Sequence, residues 1–180
     1  MIIGPKILLK LVNEKKLVEN LDNRELINPE GAGFDLRLGE IHELSGGKAY
    51  LGLTHRETPK IKTIAVYDPN KTTSFIFEPG KYYLISTLEL VNTPINIAIN
   101  FKPRTTTFRS GLIIRTGAVQ PGYIGKLTFG AKNEGSIPIK VDLGARIVFA
   151  QFHWVDGGGE QYRGQWQGGR VTTKIREKQV

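Results

Sequence analysis

The feature that most constrains this chain is a succession of nine short β-rich segments, each closed off by turn chemistry. They lie at 33–44, 62–68, 74–78, 82–91, 95–101, 111–116, 126–132, 137–143 and 146–155. Ser45-Gly46-Gly47, Asp68-Pro69-Asn70, Pro79-Gly80, Pro121-Gly122 and Asn133-Glu134-Gly135-Ser136 stand between them. Such clusters end strands because they supply unusual φ values or lack a donor. Many short strands at regular spacing fold as a sandwich, a jelly roll or a closed barrel. Segment 95–101 shows the expected alternation, with Ile95, Ile97, Ile99 and Phe101 on one face and Asn96, Ala98 and Asn100 on the other. Two regions depart from this pattern. Residues 5–16 predict a short amphipathic helix, with Pro5 in its first turn and Ile7, Leu8, Leu11 and Val12 on one face. Residues 157–180 are glycine-rich and polar, which predicts a flexible C-terminal tail or lid rather than a strand. No repeat or interdomain linker is visible, and 180 residues suit one domain spanning 1–180.

Composition narrows the chemistry. The absence of Cys removes disulfide frameworks, zinc–cysteine sites, iron–sulfur clusters and thiol nucleophiles, and fits a reducing cytoplasm. No apolar run approaches the roughly 20 residues of a membrane helix, and Lys6 and Lys10 interrupt any signal-peptide pattern. The expectation is a cytoplasmic protein with no membrane partner. The net charge of +8 sits wholly in residues 101–180, since residues 1–100 balance. A local basic excess suits an anionic partner, and equally a solvated face.

Three segments carry candidate chemistry. In Pro103–Leu112, Arg104 and Arg109 bracket Thr105, Thr106 and Thr107 and the amides of Ser110-Gly111. Guanidinium forks with hydroxyl and amide donors suit a phosphate chain, because phosphate oxygens accept many hydrogen bonds. The same residues also suit a helix start whose threonines cap backbone amides. Gly117–Gly125 is a Pro-Gly turn carrying Tyr123, which by itself is an ordinary hairpin turn. The tail sets Tyr162, Arg163, Gln165, Trp166, Gln167 and Arg170 among glycines, a strip able to close over a nucleobase or wrap a neighbouring subunit. His42, His55 and His153 show no metal-ligand spacing, so no protein-held metal is expected.

Taken together and in order, these segments resemble the dCTP deaminase and dUTP pyrophosphatase (dUTPase-like) superfamily. Ala32-Gly33-Phe34-Asp35-Leu36-Arg37-Leu38-Gly39 resembles its Tyr-Asp-x-x-Leu-Gly-type strand. Pro79-Gly80, with Leu84, Thr87-Leu88-Glu89 and Pro94, resembles the hairpin before its active-site loop. Residues 103–112 resemble its Arg-Ser-Ser-x-x-Arg-x-Gly-Leu phosphate loop, with threonines for serines. Residues 117–133 resemble its Gly-x-x-Asp-Pro-Gly-Phe-x-Gly-x-Leu-Thr-x-Glu-x-x-Asn stretch, and Ala150-Gln151-Phe152 its Ile-Ala-Gln-Leu strand. Residues 162–169 are similar to the deaminase tail, which puts the chain nearer the deaminase branch.

The resemblance implies a mainly β, distorted barrel or jelly roll assembled as a homotrimer with nucleotide sites between subunits. It implies that Arg104, Thr105, Thr106 and Arg109 hold a deoxypyrimidine triphosphate. Residues 116–120, Gln120 among them, would face the pyrimidine, and Tyr123 would pack beside the sugar. Tyr162, Gln165 and Gln167 would close from the tail. Mg²⁺ would arrive with the triphosphate. Two positions depart from the family. The glutamate that activates water for attack on the cytosine ring falls on Gly130, and the family aspartate falls on Gln120. Neither residue is a general base. Glu134 lies about 13 Å of strand from Gly130, and Lys132 is a poor base unless its pKa is strongly depressed. Three readings follow: a nucleotide hydrolase that deaminates dCTP or cleaves dUTP, a catalytically silent nucleotide-binding or regulatory trimer, and a single-stranded nucleic-acid-binding barrel that stacks bases on Trp166. Two arginines within six residues of three threonines suit one compact triphosphate better than an extended strand, so a nucleic-acid partner is not expected.

Overall fold

The computed structural model describes residues 1–179. After helix α1 (Pro5–Lys15), the short strand β1 (Val18–Glu19) and helix α2 (Asn23–Ile27) lead into β2 (Phe34–Gly46), the spine of the fold. Then follow β3 (Tyr50–Leu51), β4 (His55–Glu57), β5 (Lys60–Val66), β6 (Ser74–Phe77), β7 (Tyr82–Asn92) and β8 (Ile97–Pro103). Helix α3 (Thr105–Arg109) separates β8 from β9 (Leu112–Arg115), and β10 (Ile124–Asn133), β11 (Ile139–Asp142), β12 (Arg146–Trp154) and β13 (Glu177–Lys178) complete the chain.

The main sheet runs β8-β12-β2-β7-β10-β9, with β5 also on β2 and β1 on β7. Every pairing is antiparallel. β2 pairs successively with β12, β7 and β5, and register shifts along it mark the bulges that let one strand bend across all three. The two edges almost meet. After β9 the chain reaches β8, where Val119 and Ile99 exchange both backbone hydrogen bonds, at 2.8 and 3.0 Å. The result is the nearly closed, mainly β barrel that the strand pattern predicts.

Alternation buries one side of each strand. Phe34, Leu36, Leu38, Ile41, Ile85, Ile97, Ile99, Val148 and Phe152 have essentially no exposed surface. Phe34 meets Phe152 edge-on at 5.8 Å, and Phe75, Phe77 and Tyr83 form an edge-on trio beside β6. Ile95, expected on the buried face, precedes β8 in a turn and stays exposed, so the alternation begins only at Ile97. The stripe of α1 is likewise rotated. Leu8 is buried and Leu9, Leu11 and Val12 pack on the core, while Ile7 faces water. Two residues before the helix, the Ile3 N–H donates to the Phe152 carbonyl and ties the chain to β12.

Residues 157–179 follow the barrel wall through specific hydrogen bonds. Gly159, Tyr162 and Gly168 donate N–H bonds to the carbonyls of Ile95, Pro121 and Ile124, and the Thr173 N–H donates to Thr58 Oγ1. The segment ends as β13 on β4. Its composition predicts no strand, because these contacts are made by backbone groups that carry no sequence pattern. Among the described residues no helix is long and apolar enough to cross a membrane.

Candidate functional site

The near-closure of the barrel creates a fork. β9 pairs with β10 from Leu112–Asn133 to Arg115–Gly130 and then stops, because the next residues turn away toward β8. The edge of β10 from Phe129 back to Ile124 is therefore free of β9, and the tail returns to its start, where Gly168 donates to the Ile124 carbonyl and Gly169 lies against Gly125 and Lys126. A cavity of about 440 Å³ occupies the opening. Residues 117–120, Tyr123 and Phe101 form one wall, Leu127, Thr128, Phe129, Tyr82 and Leu84 another. Thr58 and Pro59 close one side, and Tyr162, Trp166, Arg170 and Val171 come from the tail. The volume falls in the range of small-ligand sites, and an apolar lining with a few polar groups is their usual chemistry.

Of the residues that the sequence nominates, Gln120, Tyr123 and Tyr162 line this cavity. Tyr123 is buried, packs edge-on against Tyr162 at 5.4 Å and donates its hydroxyl to the Lys126 carbonyl at 2.7 Å. Burial, with a lesser contribution from Tyr162, pushes its phenol up to about 12, so it remains a protonated donor at neutral pH. Gln165 and Gln167 sit outside the lining. Gln167 braces the Pro-Gly turn, accepting from the Ile124 N–H and donating to the Gly122 carbonyl, and Gln165 donates to Glu177. Trp166, Arg170 and Val171 take the places beside Tyr162.

Arg104, Thr105, Thr106 and Arg109 do not line the cavity of their own chain. Arg104 is the residue before α3, and its guanidinium donates to the buried carboxylate of Asp35. Arg146 donates to the same oxygen at 2.9 Å. The Thr107 hydroxyl, inside α3, donates back to the Arg104 carbonyl at 2.6 Å. Thr105, Thr106 and Arg109 point their polar groups to solvent as an exposed set.

Gly130 stands at the vertex of the fork, between Leu84 of β7 and Arg115 of β9. A Cβ built there would lie 2.5 Å from the Tyr82 hydroxyl, so the Tyr82 ring fills the space a longer residue would take. Among the described residues, no Asp or Glu lines the cavity. Behind Thr128, on the same face of β10 as Gly130, lies a polar group set that sequence reasoning missed. The His42 ring is buried between Thr63, 2.9 Å from Nδ1, and Ser86, 3.0 Å from Nε2. Ser86 Oγ is 3.3 Å from Thr128 Oγ1. Glu40 approaches Nε2 at 3.7 Å and binds Lys126 at 2.5 Å. The only available signal was His42 at an inward position of β2, which a single strand's alternation does not distinguish from a core residue.

Burial dominates the His42 environment and lowers its pKa below the ordinary 6.5, with Glu40 opposing and Lys126 reinforcing. The unfolded chain therefore binds this proton more tightly than the folded one, and stability falls as pH drops below 6.5 toward the folded value. Denaturant midpoints measured from pH 7.5 to 5 should decline for the parent and decline less for His42→Gln. Equal slopes would show that His42 is not the titrating group.

The sequence matches the profile of the dCTP deaminase-like family over residues 2–153. It is 30% identical over 167 residues to the "Probable deoxyuridine 5′-triphosphate nucleotidohydrolase" of Methanothermobacter thermautotrophicus, covering 93% of this chain and 99% of that one. It is also 30% identical over 181 residues to the "dCTP deaminase, dUMP-forming" of a Sulfurihydrogenibium species, covering 98% and 97%. The fold is similar to the crystal structure of 2′-deoxycytidine 5′-triphosphate deaminase from Agrobacterium tumefaciens, at a TM-score of 0.65 and 15% identity. That match covers 85% of this chain, which spans about half the length (47%) of that structure.

Proposed function

The chain belongs to the dCTP deaminase-like family, and from that premise we propose that it binds a deoxypyrimidine nucleoside triphosphate and hydrolyses it, with deamination of dCTP as the favoured reaction. The observation that carries this reading is the cavity in the fork, which brings residues 117–120, Tyr123 and Tyr162 around one ligand-sized space. The backbone of 117–120 reads the pyrimidine edge, Tyr123 packs beside the sugar, and the tail residues Tyr162 and Trp166 exclude water. Arg104, Thr105, Thr106 and Arg109 bind the phosphates. They lie off the cavity of their own chain, which supports a site completed by a neighbouring copy in a homotrimer. With no carboxylate in the cavity lining, the residues present do not build a cage for Mg²⁺, which enters bound to the triphosphate oxygens. Incubation with dCTP and dUTP plus magnesium, following ammonia, pyrophosphate and phosphate separately, tests the reading. Ammonia from dCTP supports it, and no turnover of either nucleotide rejects it.

A catalytically silent nucleotide binder is the second reading, favoured by the absence of any Asp or Glu from the cavity lining. Tight binding of dCTP without ammonia or phosphate release would select it.

Two further outcomes are expected. Light scattering should give about three times the 20.1 kDa chain mass, and a monomer mass would remove the shared site. Arg109→Ala should weaken triphosphate binding about ten- to a hundredfold, since a charge-assisted hydrogen bond contributes roughly 1.5–3 kcal/mol. Arg109 is the cleaner test because Arg104 is also tied to Asp35. Equal affinity by calorimetry would make residues 104–109 purely structural.

A further inference from the structure

We propose that Thr128, Ser86 and His42 form a proton relay that supplies the base missing from the cavity. The inference rests on the deaminase reading above and adds the groups that move the proton. Thr128 is the end of the relay that faces ligand, because it lines the cavity. It lies two residues from Gly130 on one face of β10, about 7 Å along the strand, and so is the neighbouring hydroxyl on that face to the position that the family resemblance assigns to the base. From Thr128 the path runs inward through Ser86 Oγ at 3.3 Å to His42 Nε2 at a further 3.0 Å. Ser86 and His42 are each only 2% exposed, so the Ser86–His42 step of the path is shielded from bulk water.

The partners fix its direction. With the proton of neutral His42 on Nδ1 and donated to Thr63 Oγ1 at 2.9 Å, Nε2 is left to accept from Ser86. Ser86 then accepts from Thr128, and Thr128 accepts from a water in the cavity. The charged groups facing the ring are Glu40, 3.7 Å from Nε2 on its own strand, and Lys126 on β10, paired with Glu40. From β5 and β7 the ring is faced by the Thr63 and Ser86 hydroxyls. Burial keeps the ring neutral and ready to accept, and Glu40 favours the imidazolium while it exists.

The deamination balances through this path. As water oxygen forms its bond to C4 of the cytosine, the C4–N3 π pair moves to N3. The proton leaving the water reaches Thr128, whose own proton passes to Ser86, whose proton passes to His42 Nε2. The imidazolium returns a proton along the same hydroxyls to N3. In the second half the C4 hydroxyl loses its proton by this route and the amino group receives it. The oxygen lone pair then closes the C4=O bond as the C4–N4 bond breaks and its pair leaves on nitrogen, so ammonia and the intact uracil nucleotide are released with no oxidant or reductant required.

The test is steady-state deamination of dCTP with magnesium by the full chain, alongside nucleotide affinity read from tryptophan fluorescence. Thr128→Val should lower kcat about 10²–10⁴-fold, the usual contribution of a positioned acid–base group, while affinity stays within a few fold. Thr128→Ser should recover most of the loss. Ser86→Ala and His42→Gln should lower kcat similarly, and His42→Gln should abolish the acid-side fall of the kcat–pH profile. An active parent whose kcat survives Thr128→Val overturns the relay and leaves the deaminase reading standing. So does a Thr128→Val loss that Thr128→Ser does not recover. A parent that binds dCTP and releases no ammonia overturns both.

Discussion

Gly130→Glu should raise the rate of dCTP deamination about a hundredfold or more. A positioned general base contributes ~10²–10⁴-fold, and the lower end applies because a hydroxyl relay from Thr128 already serves the parent. The backbone accepts the change. Gly130 is absent from the left-handed glycines, and β7 and β9 pair it from both sides as an ordinary strand residue. Glycine in such a place weakens a strand, so a side chain carries no backbone penalty. The obstacle is Tyr82, whose hydroxyl would lie 2.5 Å from the new Cβ. Tyr82 is 42% exposed and can swing toward solvent, and Tyr82→Ala in the same chain removes the contact altogether. Single-turnover release of ammonia reads the result. An unchanged rate in the double variant, with dCTP affinity intact, would mean that Gly130 does not stand beside the ring-attacking water.

The same residue illustrates what a linear sequence conveys about this site. Motif order puts Gly130 opposite a family glutamate, and alternation in 82–91 and 126–132 shows two strands. Neither shows that those strands pair with Leu84 across from Gly130, which is what brings Tyr82 into the gap. Cavity walls are drawn from β2, β7, β8, β10, the residues just before β5, the 117–120 segment and the tail, so no window of sequence contains them. The barrel was legible because burial imposes a period of two on each strand separately. The fork was not, since it depends on the chain after Arg115 leaving β10 and joining β8 through Val119 and Ile99. Gln165 and Gln167 show the related limit for the tail: both side chains are polar and suitably spaced, but backbone bonds at Gly164, Gly168 and Trp166 orient the strip so that Trp166 faces the cavity.

Asp35→Ala should cost about 3 kcal/mol of stability and loosen with it residues 104–109, the segment proposed to bind the phosphates. Asp35 is 2% exposed on β2, and one of its oxygens accepts from both Arg104 and Arg146. Removing one partner of a buried ion pair costs about 3–5 kcal/mol, because the remaining charge is left without compensation. The lower figure applies here, since Arg104 and Arg146 each keep 35% of their side-chain surface in water and can be resolvated. For a chain of this length that is roughly 6–12 °C in Tm. The second effect is local. Arg104 is the last residue before α3, and its carbonyl holds the Thr107 hydroxyl, so Asp35 fixes the start of the segment that presents Thr105, Thr106 and Arg109. Freed from Asp35, that segment must be ordered by the ligand itself, which lowers affinity without touching a single phosphate contact. Asp35→Asn separates the two effects, because an amide keeps the shape and one acceptor while losing the charge. It should retain more stability than Asp35→Ala, and its triphosphate affinity should fall between those of the parent and Asp35→Ala. A Tm within 1–2 °C of the parent for both variants would show that Arg104 and Arg146 hold the segment without this carboxylate, and the tie between the β2 strand and residues 104–109 would then have to be given up.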